Sequence, residues 1–594
     1  MRRVLTFCWL FAAVHLFAAT PPVDAIYYDG NVITGVGLPA APQRVAAIAV
    51  GGHEIVAAGD DATVLRLKQP GTKLVDLKGA FVMPGFNDAH VHLAAAGQTK
   101  LSADLNGCTS LADMLRRVGV AANQALPGQW LLGGGWDHTL WVNQTLPTRQ
   151  DLDRVTAGHP TLLDRVDGHI AVANSAALGI AGVTRQTPNP AGGQFDRDAS
   201  GDLTGIVRES PARDFIQEHI PPPGPELRRR AILLALKDAA AHGVTSIQDY
   251  SDWEDFLVYQ QLEREGLLTV RISEWLRFDD PVDLLLKHKA AQPADDHLLH
   301  TGMLKGFMDG SLGSRTAALL SPYADDPGNS GLPRYEQTQL NAMSKERAAA
   351  GFQIGFHAIG DRGVEMALNA LANSGPAMRN RIEHSQVVEP QDIPRYKSLG
   401  IVASMQPSHL LTDMNWAESR LGPQRARFAY AWKAFLDAGV PLAFGTDYPV
   451  EPITPFRGVY AGVTRTNEAG NKSYFPQDKL QIGEVLFAYT QGSAYAEFSD
   501  LYKGRLAPGY VADFVVLDRD LTAIPADEIL KTRVLRTVVG GRTVYEGTRL
   551  VELALPGTPV PGYRLCRPFG TGCCQAATPR SQKRDLGHPL KCEG

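Results

Sequence analysis

The chain has 594 residues, 44% of them hydrophobic and 20% charged, with a net charge of −5. That length exceeds one ordinary core and calls for two or three domains. The mild acidity excludes the basic footprint of a nucleic-acid or anionic-membrane binder.

Arg2 and Arg3 precede an almost unbroken apolar run from Val4 to Ala19, followed by small residues and Val23-Asp24-Ala25. This is the layout of a secretory signal peptide spanning residues 1–25. A membrane anchor is the alternative, but a spanning helix needs about 20 apolar residues, more than the run supplies. Cys8 lies inside the run, which argues against a lipoprotein anchor. The expected location is secreted or periplasmic.

Residues 26–34 (IYYDGNVIT) and 47–59 (AIAVGGHEIVAAG) read as strands with Asp-Gly and Gly-Gly turns, as do 512–518 and 535–547 near the other end. Segments 26–82 and 504–548 are therefore expected to share one small β-sandwich. Between them short apolar strands alternate with amphipathic helices. Strands are expected at 81–83, 244–248, 302–308, 353–356, 381–383, 401–405 and 441–444, with helices at 226–242 and 362–374 among others. Repeated units over this length favour a (β/α)8 barrel over an open sheet. Residues 83–103 hold the first barrel strand, and 230–503 the rest of the barrel. Residues 104–229, rich in Gly and Pro, read as an insertion after that first strand.

The chemistry begins at residues 84–92 (PGFNDAHVH). His90 and His92 are two apart at the end of an apolar strand, so both face one side, where two imidazoles suit a metal ion. Lys305 lies inside an apolar strand, where an unpaired ammonium is costly. His357, His384 and Asp447 each end a short apolar run (GFHAIGD, RIEHSQ, FGTDYPVEP). In a barrel all of these meet at the C-terminal face, where barrel active sites are built. Singly, each also reads as a hydrogen-bonded core histidine or a helix-capping aspartate.

The chain resembles the amidohydrolase superfamily, in its YtcJ-like branch with N-substituted formamide deformylases (amidohydrolase family 3). The motifs are the HxH pair, DGSLGSRTA, HAIGD, IEH, QPSHLLTD, TDYPV, YTQGSAYA and GRLAPGYVADFVVLD. The resemblance implies a metal-dependent hydrolase of non-peptide C–N bonds. It places His90 and His92 on one divalent ion, zinc by preference, and His357 and His384 on a second. A carboxylated Lys305 would bridge the two. Asp447 would bind metal and take the proton of the attacking water. Trp136, Asp137, Asp167 and His169 of the insertion would either wall the substrate pocket or organise the insertion itself. Asp309, Arg315, Gln406 and His409 lie just beyond strand ends and are candidates for orienting substrate, with His409 the second catalytic candidate.

Two competing functions remain at this point: an esterase or lactonase on the same centre, and a binding protein that has lost its metal. All six ligand positions are present, which favours an enzyme. The expected partner is a small amide-type molecule, with no nucleic acid, no membrane span after signal removal, and homo-oligomers left open. Cys566, Cys573, Cys574 and Cys592 in the 549–594 tail suggest one or two disulfides, whose pairing sequence does not reveal.

Overall fold

The computed structural model describes residues 22–547 except 167–168, 191 and 294. The apolar leader run and the cysteine-bearing tail lie outside these residues. Val23 is buried, and the Asp24 amide donates to Val50 O at 2.8 Å, so residues ahead of the expected cleavage point already belong to the first sheet. No helix among the described residues is long and apolar enough to cross a membrane.

Eight parallel strands form the central sheet: β1 (Phe86–Val91), β2 (Val244–Asp249), β3 (Arg271–Arg277), β4 (Leu299–Phe307), β5 (Ile354–Ala358), β6 (Arg381–His384), β7 (Val402–Met405) and β8 (Leu442–Phe444). They neighbour one another in chain order, the sequential parallel winding of a (β/α)8 barrel. The ring closes just past β8, where the Asp447 amide donates to His90 O (2.7 Å) and the His92 amide to Tyr448 O (2.8 Å). Closure demands a glycine at 445, because a Cβ there would sit 2.6 Å from the His90 nitrogen.

β3 escaped the sequence reading, since RISEWLR carries charges unexpected in a buried strand. Arg271 is buried against Asp513, with two bonds of 2.6 and 2.9 Å, and Glu274 is buried beside Asp249. Asp513 answers the Arg271 charge from a remote part of the sequence, while burial and the neighbouring Asp249 carboxyl push Glu274 well above the usual carboxyl range and favour its neutral form.

Both chain ends build the smaller β-sandwich. Phe81–Pro84 pairs antiparallel with Phe514–Leu517, joining the N- and C-terminal halves in one six-stranded sheet. A four-stranded sheet packs on it, and Tyr27, Val32, Ile48, Val82, Phe514 and Val538 fill the shared core.

The segment between helices Leu93–Leu101 and Pro225–Ala241 has a six-stranded sheet of its own and its own apolar clusters. Those two helices pack so closely that a Cβ on Gly97 would meet Ala231 O at 2.0 Å. The second helix runs unbroken through residue 229, where the barrel was expected to resume.

Candidate metal centre

The six expected ligand positions rise from five of the eight strands, or the segments after them, to one mouth of the barrel. His90 is on β1, and His92 follows it as the N-cap of Leu93–Leu101. Lys305 is within β4, His357 within β5, and His384 ends β6. The register sets Phe307 beside His357 and Ala358 beside His384, so the donors climb around the rim together. Asp447 lies three residues past β8. Asp88 holds that segment, accepting from the Thr446 amide (2.9 Å) and hydroxyl (2.6 Å).

Ring centroids of His90 and His384 are 5.0 Å apart, and those of His357 and His384 4.5 Å. Lys305 Nζ is 2.9 Å from His90 Nε2. Asp447 Oδ1 is 3.2 Å from His92 Nε2 and 3.6 Å from His90 Nε2, while Oδ2 is 3.7 Å from His409 Nε2. Ligating atoms of His90, His92 and Asp447 lie within 4.8 Å of one another, and so do those of His384, His409 and Asp447. His384 and Asp447 both have left-handed backbones (φ 71° and 60°), a conformation costly for side-chain-bearing residues and concentrated at functional sites.

Burial, reinforced by the Lys305 ammonium, drives the His90 imidazole well below its ordinary pKa and holds His357 down to about 3. Burial and the neighbouring His357 do the same to His384. These rings are therefore neutral at physiological pH, as metal ligands must be. Burial opposes the charge of Asp447, but the surrounding histidines, His92 first, outweigh it and keep the carboxylate ionised.

In His92 and His357 the outer ring nitrogen is occupied in a way that frees the inner one. His92 Nδ1 donates to Tyr250 O (3.0 Å), so its Nε2, 3.2 Å from the Asp447 carboxylate, is the nitrogen left for a metal. His357 Nε2 donates to Gly310 O (3.0 Å), and its buried Nδ1 has no hydrogen-bond partner. Lone pairs and a carboxylate turned toward one another in a buried space are the donor set of a divalent cation.

The Amidohydrolase family pattern matches residues 73–545. The chain belongs to the amidohydrolase family. YtcJ of Bacillus subtilis strain 168 is 33% identical over 81% of this chain and 93% of its own length. An N-substituted formamide deformylase of Arthrobacter pascens is 26% identical over 88% of this chain and 99% of its own. An uncharacterized metal-dependent hydrolase from Pyrococcus horikoshii OT3 superposes with a TM-score of 0.71 at 28% identity, covering 84% of this chain and 99% of that one. The chain is thus a hydrolase with a (β/α)8 barrel.

Around this amidohydrolase centre the other expected site residues divide. His409 faces Asp447, and it lines a cleft with His384, Gln406, Tyr430 and Trp432. Asp309 is buried and accepts from the amides of Ala318, Ile359 and Gly360 at 2.7–3.0 Å, so its oxygens brace loops and do not await substrate. Arg315 is paired with Asp325. Trp136 is wholly buried in the insertion, donating to Leu163 O at 3.1 Å. Asp137 caps the short helix His138–Leu140 and pairs with Arg165. His169 is exposed beside Glu209, and Asp167 lies outside the described residues. His409 also approaches the second donor group, its ligating atom grouping with those of His384 and Asp447, beside the anticipated His357, whose ring centroid is 4.5 Å from that of His384.

Glu383 was missed. Its Oε2 is 2.8 Å from His90 Nδ1, with neither side chain exposed. The available signal was Arg381 and Glu383, opposite charges two apart on a short apolar strand and hence on one face of it.

Proposed function

We propose that this hydrolase cleaves a non-peptide C–N bond, in a formamide, N-acyl amine or cyclic amide, at a divalent metal centre. The observation that carries the reading is Asp447, a buried ionised carboxylate with one oxygen against His90 and His92 and the other against His409. Nitrogen-rich donors favour zinc, held by His90, His92 and Asp447, with His384 and His357 or His409 available to a second ion. Bound there, the metal supplies Lewis acidity, making hydroxide available near neutral pH and polarising a carbonyl.

Asp447 takes the proton of the attacking water, and it or His409 returns that proton to the departing nitrogen. An amine is a poor leaving group until protonated, so two acid–base groups at one mouth suit amide cleavage. Lys305, buried against His90, would supply an anionic oxygen donor to the metal if its amine were carboxylated by carbon dioxide. The deformylase relative and the small amide substrates its name states support the same class. The leader sequence supports export to an extracytoplasmic compartment.

Metal analysis of purified protein, combined with a panel of N-formyl amines, N-acyl amines, cyclic amides, esters and lactones, tests this reading. Zinc near one or two equivalents with turnover of amides is expected. Metal-bound protein that turns over only esters would overturn the bond assignment.

A further inference from the structure

We propose that Glu383, clamped by Arg381, is a positioning residue that orients His90 and sets its strength as a metal ligand. The inference rests on the metal-centre reading above and concerns the relative strength of its ligands.

Glu383 stands on β6 between Ile382 and His384, with its side chain entirely buried. One carboxylate oxygen accepts from His90 Nδ1 at 2.8 Å, and the other from Arg381 Nε at 2.8 Å. The first bond makes Nδ1 the protonated nitrogen, which leaves the Nε2 lone pair of His90 pointing at Lys305 and Asp447. His92 and His357 have the same arrangement, but their outer nitrogens donate to the peptide oxygens of Tyr250 and Gly310. His90 is backed by a charge, they by neutral carbonyls. A carboxylate behind an imidazole raises its basicity and fixes its tautomer and ring plane. His90 is therefore the strongest of these three nitrogen ligands.

A buried carboxylate needs a compensating charge, and its position is only as fixed as that charge. Arg381 supplies both requirements. Its own side chain is unexposed, and beyond Glu383 it donates to Ala89 O (2.8 Å), to Ser404 Oγ (2.9 Å) and to Gln248 Oε1. One guanidinium thus ties β1, β2, β6 and β7 together beside the centre. Lysine, whose three donors share one nitrogen, cannot reproduce that fork. Arg381 acts on the ion through Glu383 and His90.

The test is zinc affinity of the full chain, measured by competition with a chromophoric chelator, alongside the visible spectrum of the cobalt-substituted protein. Glu383→Gln should lower zinc affinity about 10–100-fold, the usual cost of losing such a partner. It should also shift the cobalt bands, and because Arg381 loses its buried counter-charge the metal-free protein should melt lower, so affinity and spectrum are read on the folded variant. Glu383→Asp should recover part of the loss, and Arg381→Lys should show a smaller loss of the same kind. Should Glu383→Gln not fold, the Asp and Lys variants decide by the same measurements. Native zinc affinity in soluble, folded Glu383→Gln or, failing it, in both other variants, would overturn the proposal. A native chain that binds no zinc would instead remove the metal-centre reading, and this inference with it.

Discussion

The mouth of the barrel and the insertion both carry residues that look chemical, and they use them in opposite ways. At the mouth, side chains from five strands and the segments after them turn inward onto one space around Asp447. In the insertion, Trp136 turns into a private core, Asp137 caps a turn and His169 faces solvent. A polar residue at the end of an apolar barrel strand is placed by the repeat itself, because every β-to-α crossover delivers its strand end to the same rim. A polar residue in an irregular loop has no such constraint, and its commoner task is to satisfy nearby backbone.

The comparison breaks most visibly if removing a mouth ligand leaves the enzyme working. His90→Ala should lose metal and activity together, read as metal content against turnover. Lys305→Ala should do likewise, with partial rescue by added short carboxylates if the native lysine is carboxylated. Chelator treatment of the native chain should abolish activity, and zinc should restore it.

Asp447→Asn gives the next largest effect. The amide keeps shape and an oxygen donor but cannot accept a proton at neutral pH. The variant should fold and keep much of its metal, yet lose about 10²–10⁴-fold in kcat, the range of a positioned acid–base group. Near-normal turnover with metal bound would pass the proton-carrying role to His409, whose Nε2 lies 3.7 Å away.

Legibility in the sequence follows the same division. Most barrel strands and the candidate ligands His90, His92, His357, His384 and Asp447 stand out because each pairs a short apolar run with a polar end, and Lys305 stands out as a charge inside such a run. β3 did not, because the Asp513 carboxylate that pairs with Arg271 lies elsewhere in the chain, and the burial that favours the neutral form of Glu274 is not visible in sequence. Glu383 was hidden behind its neighbour, the IEH motif having been read for its histidine alone. Asp309 looked available because sequence cannot reveal that its oxygens meet amides some 50 residues downstream. The insertion sheet was invisible for a backbone reason. Its strand Leu131–Trp136 carries glycines at φ 158° and 95°, breaking the alternation by which strands are recognised.

The smallest effects belong to the insertion, and they sharpen the contrast by being effects on stability alone. Trp136→Phe leaves Leu163 O without its donor and should cost about 1–3 kcal/mol with kcat and KM unchanged. Asp137→Ala should cost less, about 1 kcal/mol, by removing the cap on the Thr139 amide and the contact with Arg165. Burial opposes the Asp137 charge, but the hydrogen bonds from Thr139 and Arg165 outweigh it and lower the carboxyl pKa. A carboxyl lowered on folding stabilises the native chain above its unfolded pKa of ~3.9 and loses that contribution as pH falls further. The gap in melting temperature between native and variant should therefore be full at neutral pH and close on acidification below about pH 4. A substrate-contacting Asp137 would behave otherwise, raising KM severalfold at neutral pH whatever the melting temperature did. That outcome would move the wall of the substrate pocket into the insertion and erase the contrast between the two regions.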